Sequence, residues 1–204
     1  MLSQTYDFTI EQGKYTRVPV RWADPRFVYK PITGILAQAP VRITAVDHGL
    51  TDGWPVAVVS VKGMTEINAA LDSTTSLPKS SSYKPVTVID DDTVELNSVN
   101  AAEFSAYTSG GYLQFYQPVD LNGYSARMQI RDKGTGDLLV ELTTDNGGIE
   151  IDPAQDMITL IFGEDETVGD TWVKGIYDLE LVDPLDRPYG VIRGRITLLK
   201  EVTV

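Results

Sequence analysis

Cysteine is absent from the 204-residue chain. Disulfides, thiol nucleophiles and cysteine-based metal sites are therefore excluded. Histidine occurs once, as His48, so acid–base chemistry near neutral pH has few candidates. No apolar run approaches the roughly 18 residues that a membrane helix needs. The first residues, Met1-Leu2-Ser3-Gln4-Thr5, lack the basic start and apolar stretch of a signal peptide. Basic side chains are scarce too, 17 against 29 acidic, for a formal net charge of −12. A surface this acidic is poorly suited to gripping a nucleic-acid backbone or an anionic membrane. It keeps the chain soluble, or offers a face to a basic partner. These absences together suit a protein made in the cytoplasm and assembled into something larger.

What is present is period two. Thr16, Val18, Val20 and Trp22 alternate with Tyr15, Arg17, Pro19 and Arg21, which predicts a strand with one dry face. Pro19 cannot donate to a ladder and places that strand at an edge or a bulge. Ala126, Met128 and Ile130 alternate with Arg127, Gln129 and Arg131, and Tyr177, Leu179 and Leu181 with Asp178 and Glu180. In the last run Val191, Arg193 and Arg195 oppose Ile192, Ile196 and Leu198 with a slip between, which predicts a bulge. Lys133-Gly134-Thr135-Gly136-Asp137, Asp145-Asn146-Gly147-Gly148 and Asp183-Pro184-Leu185-Asp186-Arg187-Pro188 separate the runs as turns. Strands at this spacing predict an all-β sandwich. Only Glu164-Asp165-Glu166-Thr167-Val168 is suited to a helical turn.

The middle of the chain differs. Its candidate strands are shorter: Val41–Val46, Pro55–Val61, Pro85–Ile89, Thr93–Leu96 and Tyr112–Tyr116. A Ser/Thr-rich loop, residues 72–82, lies among them. Residues 36–114 carry 4 basic and 9 acidic side chains. Two N-terminal strands cannot bury a face alone, so they need those after Leu121. The expected organisation is one discontinuous sandwich, 1–35 and 115–204, interrupted by an inserted domain, 36–114.

Two strings resemble known families. In the middle, Asp47-His48-Gly49-Leu50-Thr51-Asp52-Gly53 is followed by Val61-Lys62-Gly63-Met64-Thr65-Glu66-Ile67-Asn68 and then Ser105-Ala106-Tyr107-Thr108-Ser109-Gly110-Gly111. This resembles a small β-barrel module of phage tail and fibre proteins, itself similar to the first catalytic-cysteine half-domain of ubiquitin-activating enzymes. That half-domain does not hold the catalytic cysteine, and this chain has none. In the flanking part, Asp120-Leu121-Asn122-Gly123-Tyr124-Ser125-Ala126-Arg127-Met128-Gln129-Ile130-Arg131 resembles the central strand of immunoglobulin-like domains in phage baseplate and tail proteins. Tyr6-Asp7-Phe8-Thr9-Ile10-Glu11-Gln12-Gly13 and Tyr177-Asp178-Leu179-Glu180-Leu181 fit the same pattern, and the long insert departs from it. The resemblance implies an immunoglobulin-like β-sandwich interrupted by a small β-barrel, in a virion structural protein made in the host cytoplasm.

The candidate sites are few. His48 sits in a turn-rich string and reads as a turn anchor, since no Ser/His/Asp arrangement is visible. Asp90-Asp91-Asp92 is a calcium candidate by residue type but lacks the alternating ligand spacing of a calcium loop; it reads as a solvated hairpin turn. Trp22 and Trp172 are expected in the core, and Trp54, after Gly53, is expected to be exposed and available to a sugar. Lys14, Arg17, Arg21, Arg26 and Lys30 form a basic stripe, either a solvated face or a docking face for an acidic neighbour. No catalytic residue, metal ligand or cofactor site is expected. The chain is expected to act through contacts with other virion proteins, in multiple copies within a symmetric assembly. The alternatives are a glycan-binding module of a tail fibre and a capsid decoration or head-fibre protein.

Overall fold

The computed structural model describes residues 4–167 and 171–201. About half of the chain is strand, in several antiparallel sheets, and the described residues contain no α-helix. The chain divides into two compact units, residues 1–23 with 118–204, and residues 24–117.

The first unit opens with β1 (Gln4–Thr5), β2 (Phe8–Glu11) and β3 (Thr16–Val20). The second holds β4 (Ala23–Pro31), β5 (Gly34–Leu36), β6 (Val41–Thr44), β7 (Pro55–Val59), β8 (Lys84–Pro85), β9 (Thr87–Asp90), β10 (Thr93–Leu96) and β11 (Tyr112–Pro118). The chain then returns to the first unit through β12 (Ser125–Arg131), β13 (Leu138–Thr143), β14 (Ile149–Asp152), β15 (Met157–Phe162), β16 (Lys174–Val182) and β17 (Pro188–Leu199).

In the first unit β1, β17, β16, β12 and β13 lie side by side, and β2 also pairs with β17. A second sheet runs β14-β15-β3. Alternation dictates what each face does. One row across the large sheet is Leu142, Met128, Leu179 and Ile192, all buried. Val20, Ile158 and Leu160 of the small sheet join the same core cluster, with Trp22 at its margin. Each such side chain contributes about 1.5–3 kcal/mol on burial, so these rows hold the two sheets together. Pro19 lies on β3, which among the described residues pairs with β15 alone and is an edge. The slip in the last strand is a bulge: Leu179 faces Ile192 but Glu180 faces Gly190, which leaves Val191 as the extra residue.

The N-terminal segment runs along one edge of β17 in a single register, opposite β16. β1 and β2 both run parallel to β17, and the chain between them is pinned there. Tyr6 N–H donates to the Arg193 carbonyl (2.9 Å), and the buried Tyr177 hydroxyl donates to the Tyr6 carbonyl (2.6 Å). This close approach needs Gly194, because a Cβ there would stand 2.1 Å from the Tyr6 carbonyl oxygen.

In the second unit β5-β6-β10-β9 form one sheet and β4-β11-β7-β8 another. No ladder joins them and no closed barrel is detected, so the sheet pairing differs from the small β-barrel expected for 36–114. The unit also begins earlier than expected. β4 and β5 occupy residues 23–36, and β4 pairs with β11 of the insert, so the boundaries fall at 23/24 and 117/118 instead of 35/36 and 114/115. The Ser/Thr-rich stretch is an organised turn. Asp72 Oδ1 accepts the N–H groups of Thr74 and Thr75 (both 2.9 Å), and Leu71 bridges to Pro78. Residues 164–167 form a bend and turn, not a helix, with the Glu166 carboxylate accepting the Gly163 N–H (2.6 Å). Val168 of that expected segment lies outside the described residues.

Candidate interaction surfaces

The basic stripe is divided between the units and occupied locally. Lys14 pairs with Glu201 (3.1 Å) and Arg17 with Glu150, and Arg21 donates to the Gln155 carbonyl (2.8 Å). In the second unit Arg26 grips Asp24 through two nitrogens, and Lys30 donates to the Asp47 carbonyl. The Arg26 bond holds the Asp24 carboxyl below its ordinary value. All five cations make a local contact within their own unit.

Trp54 corrects the expectation of an exposed aromatic. It is 2% exposed, and its indole N–H donates to the Tyr116 carbonyl (3.1 Å). The Gly53 turn that suggested exposure folds the ring inward instead. Trp22 is buried against Tyr124 and Tyr189, and Trp172 is half-buried on the same core.

His48 is a structural anchor. It is buried, its Nδ1 accepts the Leu50 N–H (3.0 Å), and its Nε2 faces the Asp90 carbonyl at 2.9 Å. Those partners require the Nε2–H tautomer and use both ring nitrogens. Asp90-Asp91-Asp92 form the tip between β9 and β10, bound to the His48 loop: Asp92 Oδ1 accepts the Asp47 N–H (2.8 Å), and the Asp91 carbonyl accepts the His48 N–H (3.1 Å). The Asp90 carboxyl sits below its ordinary value because it accepts the Asp92 N–H. Among the described residues no group of three histidine, aspartate or glutamate side chains is placed to hold a metal ion.

Two surfaces emerge that residue type alone did not single out. The first is the outer face of the large sheet in the first unit. Register places Arg131, Ile176 and Arg195 in one cross-strand row, and Gln129, Asp178 and Arg193 in the next. With Thr5 and Asp7 they line an open depression of about 560 Å³. Lys133 and Lys174 line a second depression that shares Asp7, Ile176 and Arg195. Arg131 donates to Gln129 Oε1 (2.8 Å) and to the Gly136 carbonyl (3.0 Å). The exposed guanidinium groups of Arg193 and Arg195 have no ion-pair partner among the described residues. Sequence alternation marks these residues as wet-face positions; only the strand pairing brings them together.

The second surface is aromatic and lies in the second unit. Phe27 and Tyr29 of β4 meet Tyr112 and Tyr116 of β11, with Phe27 and Tyr116 centroids 4.5 Å apart and Tyr29 edge-on to Tyr112 at 6.2 Å. Tyr83 stacks on Tyr116 at 6.1 Å, and its hydroxyl accepts from Gln114 Nε2 (3.3 Å). Burial pushes the Tyr83 hydroxyl up to about 12. Tyr29, Tyr112 and Tyr116 remain more than two-fifths exposed.

Among the described residues no helix is long and apolar enough to cross a membrane. No known protein-family model matches the chain, and a search of curated proteins finds no relative.

Proposed function

We propose that this chain is a structural component of a bacteriophage virion, in the tail or baseplate, that works through protein–protein contacts and not by catalysis. The virion assignment rests on the resemblance of the 120–131 and 47–68 strings to phage tail proteins. The contact role rests on the arginine-lined outer face, where a sheet presents the Arg193 and Arg195 guanidinium groups, without an ion-pair partner among the described residues, around a depression. Rigid elements with exposed charge suit specific docking. The sole histidine is engaged in holding a loop.

An immunoglobulin-like reading of the first unit is supported by two sheets, antiparallel except where β1 and β2 lie against β17, that share one core with Trp22. The insert departs at a point where the chain closes on itself, with Val119 N–H donating to the Trp22 carbonyl (3.2 Å). Mass spectrometry of purified virions, split into heads and tails, tests the assignment. Peptides in the tail fraction are expected. Peptides confined to heads would favour capsid decoration, and absence from both would end the virion reading.

One observation favours the alternative of a host-surface glycan module. The tyrosine face of the second unit offers exposed rings to the apolar side of a sugar. Glycan-array binding by the isolated chain, abolished by Tyr29→Ala with Tyr112→Ala, would establish it.

A further inference from the structure

Charge on this molecule is unevenly placed. The chain is strongly acidic overall, yet the depression on the first unit carries Arg131, Arg193 and Arg195 against Asp7 and Asp178, with Lys133 and Lys174 beside it. The second unit presents the opposite. Its β9–β10 tip and the loop bonded to it gather Asp47, Asp90, Asp91 and Asp92, all exposed. Asp90 and Asp92 direct one carboxylate oxygen each onto backbone N–H groups. The carboxylates of Asp47 and Asp91 have no partner among the described residues, and the adjacent Lys30 donates to the Asp47 carbonyl instead.

We propose that the arginine-lined depression of one copy takes the aspartate corner of a second copy. Planar guanidinium groups match carboxylates bidentately and are weakly hydrated, which makes arginine the suitable cation for such a contact. Ile176, two-fifths exposed between Arg131 and Arg195, gives the depression an apolar floor that the contact would cover. Two acidic chains repel at long range. At ordinary ionic strength that repulsion is screened beyond about 10 Å, so the local pairing decides. The donor and acceptor patches are different surfaces, so the contact is heterologous and each copy can engage two neighbours, building a ring or a filament rather than a closed dimer. The inference rests on the protein–protein reading but not on the virion assignment; the virion fractions test that assignment separately.

Sedimentation velocity across a concentration series tests it on the purified chain. Association is expected in about 0.1 M salt and should be lost in about 1 M, where the screening length falls to about 3 Å. Arg193→Glu with Arg195→Glu should weaken association at least about tenfold, because like charges then face each other. Asp91→Lys with Asp47→Asn should weaken it too; asparagine is chosen because Asp47 sits at φ 49°, which asparagine tolerates. Mixing the two variants should restore association, since each supplies the patch that the other needs. A chain that stays monomeric at every salt overturns the inference. So does association that the reversals leave unchanged. If one variant fails to melt cooperatively, the wild-type salt series and the other variant still decide.

Discussion

The two units are stabilised by different means. The first relies on long alternating strands, up to the 12 residues of β17, whose apolar rows meet in one buried cluster. The second has β5 to β10 at five residues or fewer. Strands that short leave much of the backbone in loops, whose polar groups need partners. Side chains provide them. Asn68 copies a strand neighbour, accepting the Val61 N–H (2.8 Å) and donating to the Val61 carbonyl (3.0 Å). Asp52 accepts the Val88 N–H (2.6 Å), Glu66 accepts the Ser105 N–H (3.0 Å), and the Tyr107 hydroxyl reaches the carbonyls of Ile32 and Gly110. A short-stranded unit thus stays ordered by replacing ladder bonds with side-chain bonds.

The largest test of the contrast is excision. Residues 24–117 would be removed and Ala23 joined to Pro118 through a short Gly/Ser linker. The first unit should still fold, because its core cluster draws no residue from the insert and Trp22 already bonds to Val119. Loop closure opposes this little, at about 0.6 kcal/mol per doubling of length. A cooperative melt with β-rich circular dichroism is expected. A broad, non-cooperative melt would show that the first unit depends on the insert.

The next test compares single anchors. Ile158→Ala removes a fully buried side chain from the first unit and should cost about 2–5 kcal/mol. His48→Ala removes little apolar volume but strands the Leu50 N–H and the Asp90 carbonyl, at about 1–3 kcal/mol for each group left unpaired. Hydrogen exchange should place the His48 effect at the 45–50 loop and the β9–β10 tip. A cost below about 1 kcal/mol would mean that side-chain bonds are not what holds the second unit.

This contrast also explains what the sequence made legible. Period-two runs such as Ala126–Ile130 and Tyr177–Leu181 predict strands and faces because each alternate residue is buried. No alternation signals β4, because Pro25 and Pro31 lie within it and none of its residues is fully buried. Its omission displaced the expected boundary to residue 35. For Trp54, the turn residue before it signals a chain reversal but not which way the ring folds. The arginine-lined depression was hidden for another reason. Alternation places Arg131, Ile176 and Arg195 on wet faces, but their neighbourhood depends on β16 lying between β12 and β17, which local pattern does not encode.

Acid separates the units more finely. Asp183 anchors the β16–β17 hairpin, accepting the N–H groups of Leu185 (2.8 Å) and Arg187 (3.0 Å) and pairing with the Arg187 guanidinium. That guanidinium, first among the causes, holds its carboxyl down to about 2 from an ordinary 3.8. A folded-state value below the unfolded one stabilises the fold above the unfolded value and loses that contribution as pH falls through the folded value. Stability should therefore decline between about pH 4 and pH 2 through this group. Asp183→Asn should melt lower at neutral pH and show a flatter decline across that window. An unchanged slope would assign the acid sensitivity to other lowered carboxylates, Asp132 in the first unit and Asp72 and Asp90 in the second.

The smallest effect comes from a turn scheme that occurs once in each unit. Asp132 Oδ1 accepts the Gly134 and Thr135 N–H groups, Thr135 Oγ accepts the Asp137 N–H, and Asp132 N–H donates to the Asp137 carbonyl. Asp72, Thr75 and Leu77 repeat that scheme bond for bond in the second unit. They differ at the left-handed position, which is Gly136 at φ 79° in one and Ser76 at φ 58° in the other. An L residue there costs about 1–2 kcal/mol, while glycine costs about 0.4–1 kcal/mol through the freer unfolded chain. The first term is larger, so Ser76→Gly should stabilise by about 0.5 kcal/mol and Gly136→Ser should destabilise by about as much. Apart from its chain neighbours, nothing lies within 4 Å of a Cβ built on Gly136, so backbone strain sets the second value and no tertiary clash confuses it. Paired denaturant midpoints at unchanged slope would read both. Shifts of the same sign in the two loops would show that their matching bonds do not carry matching energetics.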